Sequence, residues 1–108
     1  MIIFTNRFIP DRFAAYTVAF IILMRPTHRA DYALIAHERT HVKQFWRTLG
    51  LHGLMYPLSE KYRYKSELEA HRVEYQMAPE RLDRLASSLA RNYGLEISFG
   101  RAREEISK

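Results

Sequence analysis

The sequence predicts a single α+β domain over residues 1–108, with a short sheet packed against three or four helices. Three observations carry this. A run of β-branched and aromatic residues at 16–24 has strand length and ends at Arg25-Pro26. Apolar residues then recur at helical spacing from Asp31 to Leu49 and again from Leu82 to Tyr93. Finally, 108 residues with 47% hydrophobic content supply one core and leave no material for a second.

Residues 2–8 form the weaker of two expected strands: Ile2, Ile3, Phe4 and Phe8 suit a sheet, but Asn6-Arg7 interrupts them. Residues 16–24 predict one strand buried on at least one face. From Asp31 the pattern turns helical. Leu34, Ile35, Val42, Phe45 and Leu49 share a side, Asp31 is placed to be the N-cap, and Gly50 can supply a left-handed cap, which predicts a helix over 32–48. Residues 51–58 contain Gly53 and Pro57 and read as an irregular connection. Residues 59–78 are helical in composition until Pro79 stops them and opens the next helix. That helix carries Leu82, Leu85, Ala86, Leu89, Ala90 and Tyr93 on one face, with Gly94 as its cap. Leu95, Ile97 and Phe99 alternate like a strand, but Ser98 as the cap of a last, frayed helix bearing Ala102 and Ile106 is the preferred assignment.

Composition excludes several function classes. With no Cys, the chain has no disulfide scaffold, thiolate zinc finger, iron–sulfur cluster or thiol nucleophile, and only His and carboxylates remain as strong metal ligands. The net charge of +5 fits nucleic acid, anionic lipid or an acidic partner, and equally a solvated face. No DNA- or RNA-reading motif accompanies Arg7, Arg12, Arg25, Arg29, Lys43 and Arg47, so a nucleic-acid partner is not expected. The longest apolar stretch, at 14–24, is far shorter than the roughly 20 residues of a membrane helix, so no membrane span is expected. Asp11-Arg12 before that stretch and Arg25-Pro26 after it do not suit a signal peptide, and a cytoplasmic location is expected.

The chemistry concentrates in His37-Glu38-Arg39-Thr40-His41, an HExxH pattern inside the first long helix. Two imidazoles four residues apart lie on one helical face and can chelate one ion. Glu38 projects beside them, where a carboxylate can take a proton from an activated water without being consumed as a ligand. Leu34, Val42 and Phe45 on the same side turn both histidines toward the core, where an unpaired imidazole is costly and a metal satisfies it. The alternative is a pair of ordinary histidines hydrogen-bonded to carbonyls.

A catalytic zinc site wants three protein ligands and an open position. The next helix offers Ser66-Glu67-Leu68-Glu69-Ala70-His71, with Glu67 and His71 one turn apart, Glu74 beyond them and Glu69 turned away. Without the HExxH, Glu67 and Glu69 would read as a solvated face paired with Arg63, Lys65 and Arg72.

HExxH on one helix and Glu67-Leu68-Glu69-Ala70-His71 on the next resemble the gluzincin branch of the zincin metallopeptidases, whose second motif often reads ExxxD or ExEAD. The strand before the helix is similar to the zincin edge strand that binds an extended substrate. Over about residues 16–78 the chain looks most like very small gluzincin-like domains, including phage and prophage proteins whose motif continues HExxH-Val-x-Gln, as Val42-Lys43-Gln44 does here. The resemblance implies a small zincin-like fold, Zn²⁺ as cofactor, and hydrolysis of a peptide or protein substrate. His37 and His41 match the zinc-binding histidines, Glu38 the general base and Glu67 the third ligand. His71 stands where the family usually has an Asp that accepts the outward N–H of a ligand histidine. It therefore either supports catalysis in that place or is itself the third ligand. An oxyanion donor is also implied, and Tyr56, Tyr62, Tyr64, His52 and His71 lie near enough in sequence.

Peptide deformylase shares HExxH but needs a Cys ligand, which this chain lacks. A di-iron bundle needs two Glu-x-x-His helices, and only Glu38 and His41 have that offset. One different class stays open: a non-catalytic zincin-like binding or structural module of a larger assembly, such as a virion. There Phe45, Trp46, Met55 and Tyr56 would form either a partner patch or part of the core.

Overall fold

Residues 16–24 are not one strand. In the computed structural model, which describes residues 1–108, they divide into β2 (Ala15–Val18) and β3 (Ile21–Met24), paired antiparallel with Val18 opposite Ile21. Ala19 makes the two-residue turn possible by taking a left-handed φ of 56°, a conformation usually left to glycine. The first expected strand shortens to β1 (Ile2–Phe4), which pairs parallel with β3 and gives the order β1-β3-β2. Alternation then decides the faces: Ile22 and Met24 are buried with Ala15, and Met24 and Ala15 pack with Ile35 of the first helix. The long loop between β1 and β2 is pinned by Arg25, whose guanidinium donates to the carbonyls of Phe13, Ile9 and Pro10.

Helix α1 (Tyr32–Arg47) starts as expected, with Asp31 Oδ1 accepting from the Leu34 N–H at 3.1 Å. Its end differs. Leu49 donates to the Trp46 carbonyl and Gly50 to that of Phe45, the paired bonds of a Schellman cap, so the left-handed C′ residue is Leu49 (φ 55°), one before Gly50. Leu49, expected on the apolar face, is consequently thrust into solvent at 91% exposure. What α1 buries instead is mostly polar: His37, Glu38, Thr40, His41 and Gln44, together with Ala33 and Ile35.

The connection expected to be irregular folds as α2 (His52–Leu58). Thr48 Oγ1 accepts from the His52 N–H at 2.9 Å and opens it, while Pro57 falls in its last turn and leaves the Gly53 carbonyl without its i+4 donor. Helix α3 (Glu60–Met77) begins on Ser59, whose Oγ accepts from Tyr62 N–H, and packs along α1. Pro79 opens a 3₁₀ turn into α4 (Leu82–Arg91), and Gly94 beyond it is left-handed at φ 65°. Ser98 does cap α5 (Phe99–Ile106), accepting from the Arg101 N–H at 3.1 Å. This last helix is not frayed: Ala102 and Ile106 join Leu85, Ala86, Leu89 and Leu95 in the main apolar core. The result is an α+β fold of five helices and one small mixed sheet, in which no helix is long and apolar enough to cross a membrane.

Candidate metal centre

Packing α1 against α3 brings the two sequence motifs face to face. His41 Nε2 lies 3.3 Å and His37 Nε2 3.7 Å from Glu67 Oε1, and the three residues offer ligand atoms all within 4.8 Å of one another. Ligand atoms about 2 Å from a single tetrahedral ion are separated by about 3.3 Å, so this spacing suits one small cation. All three side chains are buried. Glu67 Oε1 is also the one buried side-chain polar atom in the chain without a hydrogen-bond partner, a costly condition that a cation at this point removes. The other oxygen, Oε2, accepts from the Tyr56 hydroxyl.

Hydrogen bonds behind the ligands fix their tautomers. Glu74 Oε1 is 2.8 Å from His37 Nδ1, and a carboxylate can only accept, so Nδ1 donates there and Nε2 is the nitrogen turned toward Glu67. For His41 the same work falls to Gln44. Its amide nitrogen donates to the Ser66 carbonyl and to Glu69 Oε1, which leaves its Oε1 to accept from His41 Nδ1 at 2.9 Å. Ser66 Oγ adds a 2.6 Å bond to that same oxygen. Glu74 is held in turn by Arg81, which also binds the N-cap Asp31, both at 2.9 Å. The start of α1, the turn before α4 and His37 are thus one connected network.

The electrostatics are those of a site short of positive charge. Burial alone would suppress ionisation of His37, but the carboxylates of Glu67 and Glu74 beside it win and push it up to about 10. His41 is raised as well, since Glu67 outweighs its burial. Burial likewise opposes charge on Glu67, yet His41 and His37 hold it well below the usual carboxylate range. Glu38 goes the other way, raised by burial. Without a metal, protons on the histidines balance the carboxylates; a divalent ion would replace them.

Glu38 is 3.8 Å from His37 Nε2 through Oε2, and its carboxylate makes no hydrogen bond within the chain. It lines a cleft of about 470 Å³ together with His37, His41 and Glu67. One wall of the cleft is the outer edge strand β2, and the other comprises His52 and Tyr56 of α2 with Tyr93. Arg63 ties that second wall together by donating to the carbonyls of Tyr56, Tyr93 and Gly94.

His71 is brought close but into a different position. Its Nδ1 donates to the Glu67 carbonyl at 2.6 Å, its ring packs 4.6 Å from that of His37, and it does not line the cleft. Burial and the neighbouring His37 depress it to about 4, so it is neutral. The acceptor for a ligand's outward N–H, assigned by motif position to His71, is Glu74, one turn further along α3. Of the expected oxyanion donors only Tyr56 and His52 reach the cleft; Tyr62 is bonded to His52 Nδ1 at 2.7 Å, and Tyr64 packs against the apolar core. Glu69 lies outside the centre and pairs with Arg47. Three contributors carried no assignment from sequence: Gln44, although it belongs to the quoted HExxH-Val-x-Gln run; Glu74, although it lies on the Glu67–His71 stripe; and Tyr93, which no local pattern marks. Compared with protein-family profiles, curated proteins and solved structures, the chain matches none.

Proposed function

We propose that the chain is a zinc-dependent metallopeptidase of zincin type, with His37, His41 and Glu67 as ligands and Glu38 as general base. The observation that carries this is the unpartnered Glu67 Oε1, buried and facing the Nε2 atoms of both motif histidines. Zn²⁺ held by these three residues supplies Lewis acidity toward an amide carbonyl and toward water. The chain's own residues do the rest. Glu38, buried, free of hydrogen bonds and with its carboxyl raised by burial, is available to accept a proton from water and deliver it to the leaving amine. His52 faces the same space and is the donor available to a developing oxyanion, whereas the Tyr56 hydroxyl, which also lines that space, is given to Glu67 Oε2. The free edge of β2 along the cleft suits a substrate in extended conformation, which would add to the sheet through main-chain hydrogen bonds.

The test uses an extended peptide library and zinc content measured on the same samples. Glu38→Gln should keep the metal and lose cleavage; undiminished cleavage by that variant would show that another group acts as base. Zinc binding by a wild-type protein that cleaves nothing would favour the second class, a non-catalytic zincin-like module.

A further inference from the structure

From Arg39 through Ser59 the chain contains no aspartate or glutamate. This stretch folds into the second half of α1, the turn after it and α2. Its large apolar side chains are mostly outside: Leu49 is 91% exposed, Leu58 77%, Leu54 60%, Trp46 58% and Leu51 56%. Leu51, Leu54 and Leu58 follow one another at i, i+3 and i+7, so they share one side of α2, while His52 and Tyr56 on another side line the cleft. Phe20, at the tip of the β2–β3 turn and 42% exposed, stacks on Trp46 at 5.6 Å. Arg39 and Lys43 are exposed on α1 before Trp46, and of the three Lys and Arg residues on that helix only Arg47 is paired, with Glu69 at 2.9 Å.

We propose that this end of the molecule is a peripheral docking surface for an anionic phospholipid bilayer. The chemistry of the patch selects that occupant. Leucines and a tryptophan that protrude, with Arg39 and Lys43 exposed and unpaired on the same helix as that tryptophan and no acid in the stretch itself, match the boundary between acyl chains and anionic headgroups. A helix of seven residues spans only about 10 Å and offers little toward the roughly 800 Å² per partner of a standard protein interface. Isolated protruding side chains lose little by this in a fluid phase, which needs no matching groove. Since α2 carries the docking residues on one side and cleft residues on another, bound protein would hold its cleft close to the bilayer.

Trp46 is the sole tryptophan and reports directly on the patch. The experiment is co-sedimentation with vesicles of phosphatidylcholine alone, or with about 30% phosphatidylglycerol, together with tryptophan emission. Binding to the anionic vesicles is expected, with a blue shift of Trp46 emission, weakening as salt rises and in Lys43→Glu. Leu54→Glu/Leu58→Glu, both at exposed positions and checked for retained helicity, should weaken partition about tenfold or more. Glu38→Gln should bind vesicles like wild type, which keeps this result separate from the peptidase proposal. No sedimentation with anionic vesicles, an unshifted Trp46, or equal binding by the double leucine variant would overturn the assignment. So would a lipid-free dimer, seen by light scattering, that the leucine variant dissociates, because the patch would then serve a second copy.

Discussion

The two faces of α3 are packed in opposite ways. Along one side, Leu85, Ala86, Leu89, Leu95, Ala102 and Ile106 of the α4–α5 region make an apolar core. Toward α1, the buried residues are His37, Glu38, His41, Gln44, Ser66, Glu67, His71 and Glu74. Apolar burial stabilises without geometric conditions, whereas a buried polar cluster is favourable only when every member is satisfied. Every polar atom of the second cluster that is cut off from solvent has a partner except Glu67 Oε1. The contrast separates what holds the chain together from its candidate site: the α4–α5 region is an apolar platform, and the α1–α3 interface is a polar cluster with one buried carboxylate oxygen unpaired.

The sharpest way to break this contrast is to damage each half and ask whether metal repairs it. Leu89→Ala, at a fully buried position, should cost about 2–5 kcal/mol in chemical denaturation, and added zinc should leave most of that loss in place. Rescue by zinc would mean the two halves are not distinct. Next in size come the residues behind the ligands. Glu74→Gln and Gln44→Leu should each weaken zinc about 10–100-fold in a competition titration while leaving one ion per chain at saturation. Unchanged affinity would remove their positioning role.

The pH dependence should differ with and without metal. His37 is raised in the folded chain to about 10, so its contribution to metal-free stability is fully present below 6.5 and disappears as pH rises through about 10. Glu67 and Glu74 are lowered, so theirs is present above 4.5 and disappears as pH falls through their folded values. Zinc must displace the His37 proton, so the gap in Tm between zinc-loaded and metal-free protein should widen from about pH 6 to about pH 8. A constant gap would place the ion elsewhere. The smallest effect concerns neither half: Ala19→Gly relieves a left-handed residue in the β2–β3 turn and should stabilise by at most about 1 kcal/mol in thermal unfolding.

Legibility in the sequence followed the range of the interaction. Two helix starts were readable because their caps are local: Asp31 and Ser98 each accept from an N–H three residues on, as Ser59 also does without having been assigned as a cap. The α4 stripe was readable for the same reason. The hairpin was hidden because Ala19, with no Gly or Asn nearby, gives no sign of a left-handed turn. Helix α2 was hidden because Gly53 and Pro57 look like breakers, and only the Thr48 bond to His52 shows why a helix can start there. In the centre, the HExxH histidines and Glu67 stood out by spacing. The supports did not, since the bonds from Gln44 to Ser66 and Glu69, and from His37 to Glu74, span 22 to 37 positions. Nothing local told Glu74 from His71 as the acceptor; the rotation of α3 against α1 decided it.

The most direct measurement is zinc stoichiometry on protein stripped with chelator and reloaded, for wild type, His41→Ala and Glu67→Gln, by plasma mass spectrometry after gel filtration. One zinc per wild-type chain, lost in His41→Ala and at least strongly reduced in Glu67→Gln, is expected. A wild type that retains none, or variants that keep a full equivalent, would contradict a metal centre built by α1 and α3.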